Sequence, residues 1–285
     1  MDMLFKALLL LSTCGSLFAK EFRIIDMAST ANIGLFATAN QVLGNLYLYE
    51  TGRLPNLSGI TVNLGVNGLY YDPGRGNNWW SYYFEPVLVG ERGDSTISHP
   101  TRADAIAASS TRLRMKRTEA VALVNKYIRV KQPILDKVKQ FQDAYFQDAY
   151  VIGVHYRGTD KKKEAMRLPY ETVLEKIGEQ IPTDRPCRIF IATDEASFLT
   201  AALAAFPNRV IATEARRVDG TTGVHFTYRN QYAMGEEALI DALLLSKCNC
   251  LIRTSSNLSL WSTYFNPDLP VILLSRIRAA TTEPE

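Results

Sequence analysis

Cysteine and histidine are scarce in this chain, with four and three in 285 residues. No C-x-x-C pair and no Cys/His set at zinc spacing is present, so a structural zinc module is excluded. Cys187, Cys248 and Cys250 flank apolar strands and are expected to be buried thiols. The chain also has no D-x-D, the carboxylate pair that often holds a divalent cation, and no G-x-G-x-x-G turn, which disfavours a conventional NAD enzyme. An excess of charge is missing too: 32 basic against 29 acidic residues leave a net charge of +3. That balance argues against a nucleic-acid or membrane-surface partner, and the basic runs Arg112 to Arg117 and Lys161 to Lys163 read as solvated faces. The apolar run Ala7 to Leu11 is too short for a membrane anchor. With its charged start and the small residue Ala19, the segment 1–19 reads as a secretory signal, the alternative being a first buried helix.

What is present is a regular alternation. FRIIDMA reads as a strand, ANIGLFATANQVLGNLYLYETG as a helix and GITVNLG as a strand, a βαβ opening. Helices follow at Thr118 to Tyr127 and Gln132 to Phe146. From Tyr150 onwards VIGVH, RIFIAT, RVIAT, CLIRT and PVILLS alternate with four helical segments, and five such strands predict a parallel sheet with helices on both faces. Tyr170, Leu174, Ile177 and Ile181 form one apolar stripe on the first of those helices. The aromatic stretch Trp79, Trp80, Tyr82, Tyr83, Phe84 reads as packing between elements, with a sugar-stacking wall as the other possibility.

Ligands of open α/β sheets bind beyond the carboxyl ends of the strands. The first strand delivers His155, Arg157, Asp160 and Lys161 to that edge, and the second delivers Thr193 and Asp194. The fourth delivers Thr254, Ser255, Ser256 and Asn257, a hydroxyl-rich strand-to-helix turn whose amides and helix dipole favour an anion. An arginine leaving a buried strand at this edge calls for an anionic partner, and a nucleotide phosphate fits. Helix capping is the competing role for Asp194, Ser255 and Ser256.

The sets GVHYRGTDK, FIATDEASFL with FPNRVI, and DALLLSKCNCLIRTSSNLS, in that order, resemble the three peptide motifs of the GDP-fucose-dependent fucosyltransferases. That superfamily includes α1,6-fucosyltransferases of N-glycan cores and nodulation factors and the protein O-fucosyltransferases. The resemblance covers about the last half of the chain. It implies a GT-B architecture, two Rossmann-like domains facing a cleft, with residues 20–149 as the acceptor side and 150–285 as the GDP-sugar side. It implies transfer of fucose from GDP-fucose to a hydroxyl of a glycan or protein acceptor, inverting and metal-independent, with no cofactor. Arg157 is then the residue that holds the β-phosphate and stabilises departing GDP. His155 lines the nucleotide site, Asp241 accepts hydrogen bonds from guanine, Ser255, Ser256 and Asn257 meet the phosphates, and Glu164 matches the catalytic base of the α1,6 enzymes.

Two departures accompany the resemblance. Glu164 stands one residue closer to the H-x-R motif than in the α1,6 enzymes, and Gly158 replaces the second of their two adjacent arginines. The protein O-fucosyltransferases also use one arginine there. A non-catalytic binder of nucleotide sugar or glycan, or a hydrolase or transferase for another GDP-sugar, is the alternative function. A cleaved signal would place the chain in a Golgi or ER lumen, and an uncleaved one in the cytoplasm.

Overall fold

The structure is a computed structural model that describes residues 19–26, 33–66, 68–158, 168–218 and 231–274. The segment expected to be a signal therefore lies, up to residue 18, outside the described residues. No helix among the described residues is long and apolar enough to cross a membrane.

The first half is built on a four-stranded sheet of order β3-β2-β1-β4. Its strands are β1 (Glu21–Ile25), β2 (Leu57–Val62), β3 (Leu88–Gly90) and β4 (Thr96–Ser98), and its helices are α1 (Leu35–Glu50), α2 (Arg102–Arg114), α3 (Arg117–Tyr127) and α4 (Gln132–Tyr145). β1 runs parallel to β2 and β4, as a βαβ opening requires, while β3 is antiparallel at the edge. α1 is buried nearly all round, through Leu35, Phe36, Ala39, Val42, Leu43 and Leu46, which marks it as a central helix rather than a surface one. Gly44 lets α2 cross it closely: a Cβ there would lie within 3.0 Å of the Ala108 Cα.

The second half carries β5 (Tyr150–Tyr156), α5 (Tyr170–Glu179), β6 (Cys187–Thr193), α6 (Ala196–Ala205), β7 (Val210–Ile211), α7 (Gln231–Ser246), β8 (Cys250–Arg253), α8 (Asn257–Phe265) and β9 (Val271–Leu273). The sheet order is β7-β6-β5-β8-β9 and every pair is parallel, as the alternation predicts. The order reverses direction between β5 and β8, and a crevice opens at such a switch point beyond the strand ends. Ile152, Val154, Ile189, Ile191 and Ile252 pack under α5 and α6. Val151, Phe190, Ala192 and Leu251 point the other way, into a core they share with the first half.

That shared core is where the aromatic stretch goes. Trp79, Trp80, Tyr83 and Phe84 are fully buried, so packing is their role. Tyr83 stacks on Tyr232 of α7 at 5.5 Å between centroids and donates its hydroxyl to the Tyr232 carbonyl at 2.8 Å. Trp261 of α8 lies 5.6 Å from Phe36, and its indole N–H donates to Asn40 Oδ1 at 2.8 Å. The basic run Arg112 to Arg117 is not wholly a solvated face, which corrects that reading. Arg112 is 4% exposed and donates to the Tyr264 hydroxyl at 2.7 Å. It sits on the side of α2 that meets α8, where a planar guanidinium can lie against a phenol ring. Cys187, Cys248 and Cys250 are buried free thiols, as expected.

Candidate active site

Arg157 follows β5 directly, at the carboxyl edge of the sheet. Its backbone N–H donates to Thr254 Oγ1 at 3.0 Å, and the Thr254 N–H donates in turn to the His155 carbonyl at 3.0 Å, so β8 holds the end of β5 in place. From the β6 side, Asp194 Oδ1 accepts the Gly158 N–H at 3.3 Å and Oδ2 stands 3.7 Å from the Arg157 guanidinium. Asp194 is thus drawn to the arginine. The N-cap position of α6 falls to Glu195, which makes no side-chain capping bond. His155 is buried, and its imidazole pKa is pushed down to about 3, by burial first and then by Arg157 and Arg253. It is a neutral ring, and its Nδ1 has no hydrogen-bond partner among the described residues.

These groups border a cavity of about 120 Å³ whose wall includes His155, Arg157, Thr193 and Asp194 on the sheet side and Met234, Glu237 and Asp241 on α7. Asp241 lies in the α7 wall. Its Oδ1 accepts from the Thr213 hydroxyl at 2.8 Å, and burial raises its pKa to about 6 against the lowering effects of that bond and of Arg217. The loop after β7 closes this side. Arg217 donates to the Ala215 carbonyl at 2.7 Å and the Thr213 carbonyl at 3.0 Å, the Arg216 N–H donates to Glu237 at 3.1 Å, and the Val218 N–H donates to the Asp194 carbonyl at 2.9 Å. Thr213, Arg216, Arg217 and Glu237 escaped the sequence reading. The polar run TEARRVD directly after a strand at the same edge is the signal that could have found the first three; Glu237, on α7, has no such local signal.

The β8 turn is placed at the same edge but spends much of its hydrogen bonding on itself. Ser256 is the N-cap of α8, accepting the Leu258 N–H at 3.3 Å. Thr254 serves His155 and Arg157, and Thr193 Oγ1 accepts the Glu195 N–H at 3.2 Å. Asn257 Oδ1 accepts from Asn40 of α1 at 3.1 Å, which ties this turn to the first half. Ser255 is buried beside them. Asp160, Lys161 and Glu164 lie outside the described residues.

Position 158 has a physical reason to be glycine. A Cβ built there would lie within 2.6 Å of the Oε1, Cδ and Oε2 atoms of Glu195. That carboxylate is 2% exposed and accepts a hydrogen bond from Tyr170 at 2.7 Å. It has little room to retreat. A second arginine at this point is therefore incompatible with the carboxylate that β6 places beneath it.

Among the described residues, no three His, Cys, Asp or Glu side chains are grouped to hold a metal ion. A larger open pocket of about 390 Å³, bordered by Arg185, Arg188 and Arg209, lies at the opposite edge, where β5 and β6 begin, and holds none of the candidate site residues.

No family model and no curated protein sequence matches the chain. Solved structures do. Fucosyltransferase NodZ from Bradyrhizobium aligns over 90% of this chain and 98% of its own, at 16% identity and a TM-score of 0.56. POFUT1 in complex with GDP aligns over 89% and 98%, at 11% identity and a TM-score of 0.54. A mutant of Arabidopsis thaliana FUT1 in complex with GDP aligns over 90% and 70%, at 12% identity and a TM-score of 0.51. The chain is an α/β protein with the GT-B fold of these structures, built on two sheets.

Proposed function

We propose that this chain transfers fucose from GDP-fucose to a hydroxyl of a glycan or protein acceptor, with inversion and without a metal ion. The observation that carries this reading is the pairing within one cavity of Arg157 with a buried carboxylate, Asp241. A nucleotide diphosphate presents those two needs, an anionic end and a base edge rich in donors. Guanine offers N1–H and N2–H₂ side by side, and Asp241 has Oδ2 available for them while Oδ1 is engaged by Thr213. Uracil has no such pair.

In the reaction the acceptor oxygen attacks the anomeric carbon from the face opposite GDP. The bond from that carbon to the β-phosphate oxygen breaks, GDP leaves with the bonding electrons, and the acceptor proton passes to a base, for which the sequence nominates Glu164. Charge builds on the β-phosphate as the bond breaks, so a donor fixed there lowers the barrier. Arg157 is suited to this because its backbone is anchored by Thr254 and its guanidinium is set by Asp194. Two N–H groups in one plane can meet two phosphate oxygens.

The test is GDP release from GDP-fucose with and without a panel of glycan and glycoprotein acceptors. Acceptor-dependent release supports the proposal. Acceptor-independent release indicates a hydrolase, release from another GDP-sugar only indicates a different donor, and binding without release indicates a non-catalytic member.

A further inference from the structure

Among the described residues of the first half, Tyr70 borders the cavity. Its ring is wedged between Trp79, 5.2 Å away between centroids, and Tyr83, edge-on at 6.3 Å. The phenol is 5% exposed and cannot swing to another partner. Its oxygen accepts the backbone N–H of Leu35, the first residue of α1, at 2.8 Å. No described residue receives its proton.

A buried O–H with no acceptor is costly, because the group has lost water and gained nothing in return. The cavity side is where an acceptor can arrive. Arg157 borders the same cavity, and its charge lowers the Tyr70 pKa, although burial dominates and raises it to about 12. The phenol therefore stays protonated, a neutral donor close to a cationic one. The helix N–H on its oxygen also polarises it in the direction that strengthens donation.

We infer that Tyr70 donates a hydrogen bond to the terminal phosphate of the nucleotide ligand, so that the two halves of the chain grip one group, Arg157 by charge and Tyr70 by a neutral O–H. This rests on reading the cavity as a GDP site. It assigns the first half a part in donor binding in addition to the acceptor side, and it makes α1, through Leu35, part of the donor site's support.

The experiment is calorimetric titration of wild type and Tyr70→Phe with GDP and with GMP, which lacks the terminal phosphate. GDP affinity of the variant is expected to fall on the order of tenfold or more, as for loss of a hydrogen bond to a charged group. GMP affinity is expected to stay within about twofold. Equal weakening for both ligands, the mark of a merely structural phenol, overturns the inference, as does no weakening for either. A wild type that binds neither ligand refutes the GDP reading itself. Because Tyr70→Phe also removes the acceptor of the Leu35 N–H, 3-fluorotyrosine at position 70 provides a second arm. It keeps the oxygen and is a stronger donor, so it should bind GDP at least as tightly as wild type. Weaker GDP binding by the fluorinated protein would count against a donated bond.

Discussion

Replacing Asp241 by asparagine should move stability and binding in opposite directions. Burial raises the carboxyl pKa from 3.8 to about 6, partly offset by the Thr213 hydroxyl and the Arg217 charge. Between those values the folded chain keeps a proton that the unfolded chain has lost. The resulting stability is present in full below the unfolded value, falls by about 1.4 kcal/mol per pH unit through the window, and is gone once the pH has risen through about 6. The whole difference is about 3 kcal/mol. Asparagine has the same shape, stays neutral and still accepts from Thr213. The ligand-free variant should therefore melt above wild type at pH 7 and higher, by roughly 6 °C at about 2 °C per kcal/mol for a chain of this size. The gap should narrow as the pH is lowered from 6 to 5. GDP binding should go the other way. Loss of a charged acceptor is worth roughly 1.5–3 kcal/mol, or about tenfold to a hundredfold in affinity. Wild-type affinity for GDP should also drop about tenfold per pH unit below pH 6, because protonation removes the acceptor. Thermal melts from pH 5 to 8 and calorimetry with GDP read both effects. Parallel melting profiles together with unchanged GDP affinity would refute the assignment of Asp241 as the base-reading group.

Three further outcomes can be stated. Arg157→Lys should lower transfer about a hundredfold or more while the melting temperature is kept, since the charge remains but the planar fork is lost; near-normal turnover would remove Arg157 from its role. Gly158→Ala should destabilise the chain by about 1–3 kcal/mol through overlap with Glu195, and Glu195→Asp in the same background, shorter by one methylene, should recover part of that; a fully stable single variant would show that the turn yields. Transfer should survive EDTA, because Arg157 supplies the positive charge at the leaving group; loss restored by manganese or magnesium would point to different chemistry.

Much of the second half was legible in the chain itself. Its strands are short β-branched runs such as RIFIAT, α5 carries a period-3.6 stripe, and strand and helix segments alternate without overlap. Less of the first half was. β3 and β4 are three residues each, too short to show an alternation, and α2 was passed over although its start carries a capping signature. Thr101 accepts the Asp104 N–H at 3.2 Å and Asp104 accepts the Thr101 N–H at 2.8 Å. In T-x-x-D form that reciprocal pair was readable. Its apolar face was not, because α2 buries alanines and an arginine in place of large apolar residues.

By itself the sequence determined local conformation and the edge at which chemistry collects, since strand period, turn residues and the place where a strand ends are properties of neighbours in the chain. His155, Arg157, Thr193, Asp194 and Thr254 were all identifiable on that basis. Tertiary structure decided which of them face the cavity and which hold the frame. Ser256 caps a helix, Thr254 clamps β5, and Asn257 is engaged by Asn40, more than two hundred residues away in the chain. It also decided that position 158 has no room for a side chain and that Tyr70 reaches the cavity wall. Such outcomes depend on contacts between residues distant in sequence, where hydrogen-bond partners and free volume arise only after the two halves have packed into one core. No local pattern encodes them.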